Sequence, residues 1–319
     1  MDQGIERGHS GKRMRPSAAD YIFLLRPMIL IPVWSFFLLG AHQAVASSEK
    51  DVEITGLIAG FVSFTLLIGA VYIINQITDR ESDLRNDKLF LLSRGIITVR
   101  AAVTEIIALA TLSFVIGLIM MPAAFNIMLI LSLLLGAAYS IEPLRLKRRW
   151  LLDIAANGAG IGFIAPLAGQ ISAGSGIADP LGLTPYPLAV ASVHLVTTLA
   201  DIEGDRSCDL RTSGVLLGRH WSVITAVLLM LAALLAAFLS ENSIAFYAIL
   251  FSLPFYLVLA GRDKPAAGRV LLPAKTATLI FAVAAGYAFR LYLPFLAAVI
   301  LLTRLYYSRR FGISYPSFK

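Results

Sequence analysis

Cysteine is nearly absent from this chain. Cys208 stands alone among 319 residues, so no internal disulfide can form and a thiolate metal site lacks partners. Histidine is almost as scarce: His9, His42, His194 and His220 lie far apart, with no two on one helical turn, which leaves a histidine-based metal site without support. Charge is the third shortage. Asp, Glu, Lys and Arg make up 15% of the residues, against roughly 25% in a soluble domain, while 58% are hydrophobic and the mean hydropathy is +0.78. Such a composition describes an integral membrane protein. The net charge of +7 does not indicate nucleic acid, because the basic residues sit between apolar segments in the manner of membrane topology.

Apolar segments occur near 21–45, 54–77, 98–120, 123–141, 151–173, 183–200, 220–240, 243–261, 270–289 and 291–307. A span needs about 20 apolar residues, so the expected fold is an all-α, polytopic transmembrane helical bundle. Residues 106–141 carry no charge over 36 positions and must form two passes, hinged near Pro122. The last two segments form either two passes or one long one. Two are preferred, because they return Arg304, Arg309, Arg310 and Lys319 to the side of the amino terminus. The chain then divides into a cytoplasmic tail at 1–20, a transmembrane domain at 21–307 and a basic tail at 308–319.

The positive-inside rule assigns the sides. Counted from a cytoplasmic amino terminus, the even-numbered segments end in loops bearing Arg80, Arg85, Lys88 and Arg94; Arg145, Lys147, Arg148 and Arg149; Arg206, Arg211 and Arg219; and Arg262, Lys264 and Arg269. The opposite loops near 46–53, 174–182 and 241–242 hold one basic residue, Lys50. The expected setting is the cell membrane, with the lipid bilayer as a partner.

Acid is scarce and concentrated. The windows 75–87 and 201–209 together hold eight of the 20 Asp and Glu residues, and a shift of 126 residues lays one window on the other. Asn75, Asp79 and Asp83 recur as Asp201, Asp205 and Asp209, and each run closes on Asp-Leu-Arg. On a helix, positions i, i+4 and i+8 drift by only about 40° per step and share a face. Like charges so stacked repel unless a cation sits among them. Mg²⁺ is the natural one, since it binds through one or two carboxylates and completes its shell with water and substrate phosphate. Both motifs fall at the cytoplasmic ends of even-numbered segments, where they can meet across the bundle. The repeat suggests two related halves.

Cations suited to phosphate lie nearby. Tyr139 and Ser140 lead into Arg145, Lys147, Arg148 and Arg149, and Arg26 sits just inside the first span before Pro27. Arg offers a planar donor fork to phosphate oxygens and Lys a point charge. An arginine within a span usually faces a polar interior.

These residues resemble the UbiA superfamily of intramembrane prenyltransferases over roughly residues 20–310. Asn75, Asp79 and Asp83 are similar to its first Asp-rich motif, and Asp201 and Asp205 to its second. Arg26-Pro27 with Pro32 to Trp34, and Tyr139-Ser140 through Lys147, are similar to the branch of chlorophyll synthases, homogentisate prenyltransferases and archaeal ether-lipid enzymes. Asp209 is an acid many members lack, and Thr198 stands where some carry one. The resemblance implies a nine-helix core, to which a tenth C-terminal span is added here, with a central cavity open to the membrane. It also implies two Mg²⁺ ions around a polyprenyl diphosphate.

The expected activity is Mg²⁺-dependent transfer of a polyprenyl group from its diphosphate to a lipophilic acceptor of the aromatic or quinone-precursor, tetrapyrrole or glycerol-phosphate type. The expected metal ligands are Asn75, Asp79, Asp83, Asp201, Asp205 and Asp209, with Asp79, Asp83, Asp201 and Asp205 as the catalytic set. Arg26, Asn75, Tyr139, Arg145 and Lys147 are expected at the diphosphate. Two rivals share these residues: a terpene cyclase, which would need no acceptor, and a transporter, whose acids would lie near the bilayer midplane.

Overall fold

The computed structural model describes residues 15–48, 52–85, 90–174, 180–207, 211–261 and 267–316. The helices are α1 (Ala18–Leu24), α2 (Pro27–Ser48), α3 (Ile54–Arg85), α4 (Val99–Met120), α5 (Ala123–Ser140), α6 (Leu152–Ser172), α7 (Pro185–Thr198), α8 (Ile202–Ser207), α9 (Ser213–Leu239), α10 (Ser243–Ala260), α11 (Leu272–Ala288) and α12 (Tyr292–Phe311). Among the described residues seven helices are long and apolar enough to cross a membrane: α2 to α6, α9 and α10; α11 is apolar but shorter. Large apolar side chains such as Leu118, Ile119, Phe238 and Leu239 point outward, as a lipid-facing surface requires.

All ten apolar segments reappear as helices, with altered ends. The first is broken: residues 21–24 belong to α1, and the chain turns at Arg26, which adopts φ 58°. A proline disfavours the α region for the residue before it, so Pro27 ends one helix and starts the next. Helix α3 outruns its apolar segment and continues through the first acid motif to Arg85, 32 residues or about 48 Å in all. Helix α6 contains a π-turn at Gly160–Ile164. Pro166 follows directly and has no N–H to offer the helical ladder, a recognised cause of such irregularity. Helix α7 stops at Thr198 after 14 residues, short of the expected end at 200.

Helix α2 runs through the middle of the packed interior. It crosses α6 so closely that a β-carbon on Gly40 would overlap the Pro166 carbonyl, and one on Gly169 the carbonyl of Phe37; small residues permit this approach between membrane helices. Phe36, Tyr186 and Phe281 join α2, α7 and α11 in one aromatic cluster. Ser63 and Ser113 exchange hydrogen bonds across α3 and α4, each hydroxyl donating to the other residue's carbonyl at 2.9 and 2.8 Å.

The last apolar stretch forms two helices, turned at Phe289–Leu291. The far end of α12 returns to α1, where Tyr306 donates to Asp20 Oδ1 at 2.6 Å and stacks on Phe23, while Arg310 donates to Asp20 Oδ2 at 2.8 Å and to the Arg15 carbonyl. The boundaries drawn at 20 and 308 therefore cut through structure: α1 begins at Ala18, and α12 continues to Phe311. Asp20 is fully buried, and a buried carboxylate that loses its partner is strongly destabilising. Arg310→Ala is expected to cost about 3 kcal/mol, read as a lower melting temperature in detergent. Adding Asp20→Asn to that variant should recover part of the loss.

Candidate active site

The first acid motif occupies the last turns of α3, so Asn75, Asp79 and Asp83 fall on one face as their spacing requires. Gln76, next to Asn75, donates to the Leu24 carbonyl at 2.7 Å and holds α1 against this helix. Asn75 donates to Ser140 Oγ at 3.2 Å, tying the motif to the end of α5. Asp79 is met by cations. Lys147 Nζ lies 2.6 Å from both carboxylate oxygens, and an Arg145 guanidinium nitrogen lies 3.5 Å from one of them.

Those cations come from the segment between α5 and α6. Arg145 takes a left-handed φ of 36°, and Leu146–Arg148 form one tight turn. Arg149 donates to the Pro143 carbonyl at 2.6 Å and pairs, strand-like and parallel, with Arg211 just past the second motif. The basic segment thus runs between the two acid motifs. Lys147 reaches Asp79, and the charge of Arg148 reaches Asp205. Burial pulls the Lys147 ammonium below the usual lysine range, although Asp79 opposes the shift. Beside α3, Thr78, Arg80, Arg145 and Arg148 line a cavity of about 350 Å³.

The second motif is built differently. Asp201 lies in the turn after α7, outside helix, and α8 starts at Ile202. The Asp205 N–H still bonds the Asp201 carbonyl at 2.8 Å, so the two acids stand one helical turn apart. Asp205 accepts from Thr212 Oγ1 at 3.0 Å. Burial pushes its carboxyl above the usual aspartate range, and the like charges of Asp201 and Asp153 push the same way, against Thr212 and Arg148. Asp209 lies outside the described residues.

Asp153, not anticipated from the sequence, anchors this half. Buried at the start of α6, it accepts from the Ser213 N–H at 2.9 Å and from the Ser213 hydroxyl in a short hydrogen bond. It thereby seats the first residue of α9, where a carboxylate is favoured by the helix dipole. One turn along α6, Asn157 Nδ2 donates to Tyr139 Oη at 3.1 Å and approaches His194 Nε2 at 3.4 Å. Tyr72, Tyr139 and His194 are each partly buried. An ionisable residue at the head of an apolar segment with a carboxamide four positions on, Asp153 and Asn157, was a legible signal of this cluster.

The expected diphosphate residues therefore separate. Arg145 and Lys147 join Asp79; Tyr139 faces Asn157, within reach of the charges of Asp79 and Asp153. Arg26 sits at the break between α1 and α2, its charge acting on Tyr72 and Tyr307. Among the described residues it bonds to neither acid motif, and no three of His, Cys, Asp and Glu gather closely enough to ring a metal ion. The donor chemistry nonetheless fits a hard divalent cation: carboxylate and carboxamide oxygens alone, with a lysine ammonium already held between both oxygens of Asp79.

No curated protein is recognisably similar in sequence. The fold is similar to that of a UbiA homologue from Archaeoglobus fulgidus, solved with DMAPP and Mg²⁺ bound, at 19% identity and a TM-score of 0.66 over 86% of this chain and 99% of that one. It is also similar to the apo structure of a UbiA homologue from Aeropyrum pernix K1, at 19% identity and a TM-score of 0.63 over 82% and 98% of the two chains. A digeranylgeranylglyceryl phosphate synthase structure shares the fold at 18% identity, with a TM-score of 0.61 over 84% and 98%. The sequence pattern of the UbiA prenyltransferase family matches residues 30–266, from α2 to the end of α10 and both acid motifs with it, and the chain belongs to that family of membrane-embedded prenyltransferases.

Proposed function

We propose that this prenyltransferase moves a polyprenyl group from its diphosphate to a lipophilic acceptor inside the membrane, using Mg²⁺ held by its two acid motifs. The observation that carries this reading is the basic segment between the motifs, with Lys147 on Asp79 and Arg149 paired to Arg211 just past the second motif. Two carboxylate groups separated by a run of cations suit a metal-bound diphosphate better than either suits a solvated loop. The domain responsible is taken as residues 21–307. The distribution of Lys and Arg over the loops supports a cytoplasmic position for both motifs, in the cell membrane.

Asn75, Asp79 and Asp83 would hold one ion, and Asp201, Asp205 and Asp209 a second. Ions held there would supply neutralising charge to the departing diphosphate. Lys147 would exchange its bond to Asp79 for diphosphate oxygens, and Arg145 and Arg148 would add donors. Tyr72 and Tyr139, both partly buried, would offer ring faces to an allylic cation. The acceptor attacks that cation. The likeness to a digeranylgeranylglyceryl phosphate synthase supports a glycerol-phosphate lipid among the acceptor classes, beside ring-bearing quinone precursors and tetrapyrroles.

Release of inorganic diphosphate from geranylgeranyl diphosphate, with and without Mg²⁺ and across a panel of acceptors, tests the proposal; a cyclic hydrocarbon formed without any acceptor would identify a cyclase instead. Asp79→Asn and Asp205→Asn should each lower turnover by about 100-fold or more with little change in expression, and near wild-type rates at saturating Mg²⁺ would refute the two-motif site. Lys147→Met removes a charge-assisted hydrogen bond of roughly 1.5–3 kcal/mol. Its half-saturating prenyl diphosphate concentration should rise by roughly 10- to 100-fold, measured in initial-rate assays.

A further inference from the structure

We propose that His194 takes the proton released by the acceptor, and that the acceptor presents a hydroxyl group to it. The inference rests on the transferase reading above and concerns the contact between α6 and α7, away from the acid motifs.

Asn157 Nδ2 carries two hydrogens and faces three acceptors: the Asp153 carbonyl at 2.9 Å, Tyr139 Oη at 3.1 Å and His194 Nε2 at 3.4 Å. The Asp153 contact sets the amide's orientation, because a backbone carbonyl only accepts. The two shorter bonds consume both hydrogens, which leaves the Nε2 lone pair without a full donor. Among the described residues Asn157 is the only hydrogen-bond partner of the His194 ring. The residue is partly buried. Asn157 Oδ1, which accepts no hydrogen bond among the described residues, adds a second acceptor beside it.

Two neighbouring acceptors without a full donor call for one, and a hydroxyl supplies it. Prenyl transfer to a hydroxyl breaks the carbon–oxygen bond to the diphosphate, which leaves with the electron pair. It forms a carbon–oxygen bond between the allylic carbon and the acceptor oxygen, and the hydroxyl proton must then go elsewhere. His194 Nε2 receives it. Asp153 lies close enough for its charge to act on the ring, and it stabilises the imidazolium that results. The carboxylate is itself held by Ser213 and the Ile154 N–H, so it stays in place as the proton arrives. The departing diphosphate is the competing proton sink.

His194→Gln and His194→Ala in full-length protein separate these possibilities, assayed with geranylgeranyl diphosphate, Mg²⁺ and a hydroxyl-bearing acceptor that the wild type uses. Affinity for the diphosphate should stay within about twofold, because His194 makes no contact with either acid motif, while turnover should fall by about 100-fold, the usual lower range for losing a positioned proton acceptor. Added imidazole should restore transfer in His194→Ala by about tenfold, a response that a purely structural role would not show. Wild-type turnover in His194→Gln would overturn the proposal and leave the diphosphate as the base. A loss that appears in diphosphate affinity and ignores imidazole would overturn it as well. If the wild type itself transferred to no acceptor, the transferase reading would fail, and that result is distinct from either of these.

Discussion

Carboxylates cannot gather at the mouth of a low-dielectric bundle without cations among them. The protein meets this constraint with one short segment, residues 145–149, which lies between the motif on α3 and the motif after α7. Lys147 sits between both oxygens of Asp79, and Arg149 pairs with Arg211 beyond the second motif. The same cations that make two acid groups tolerable at one end of the bundle are the groups a diphosphate would recruit. Asp205 marks the shortfall: burial first, and then the like charges of Asp201 and Asp153, push its carboxyl upward.

Everything around that segment serves to hold it. Asp153 seats the start of α9 on the start of α6 through Ser213, and the Leu151 N–H donates to the same serine hydroxyl at 2.9 Å. Gln76 pins α1 to the motif helix, and α12 closes back on α1 through Asp20, Tyr306 and Arg310. Helices α1 and α12 therefore meet beside the motif helix. The opposite end is tied separately: Asn242 caps α10 and bonds both the Gly182 carbonyl and Tyr186 Oη, at 2.8 and 3.1 Å.

Much of the fold was legible in the sequence because a membrane offers the backbone no water, so each apolar run of sufficient length has to be a helix. Charge placement between the runs identified the loops that carry the site. The stacking of Asn75, Asp79 and Asp83 followed from spacing alone, since α3 continues unbroken through all three. The second motif did not follow: α7 stops at Thr198, and Asp201 falls in the turn. Hydropathy does not register where a helix stops when the residues on both sides, here Leu199 and Ala200, are apolar. Asp153 and Asn157 share one helix at a legible spacing, but His194 comes from another, and no spacing within one segment relates it to them.

Local chemistry thus determined the class of fold, the ends of the bundle at which charge collects, and the presence of a repeated oxygen-donor pattern, each a property of neighbouring residues along the chain. Only the tertiary structure decided which cation faces which acid, that Lys147 rather than Arg26 reaches Asp79, and that a histidine and a tyrosine meet at one asparagine. Those pairings depend on helix crossings and on the breaks at Arg26 and in α6, which arise from packing between segments far apart in sequence.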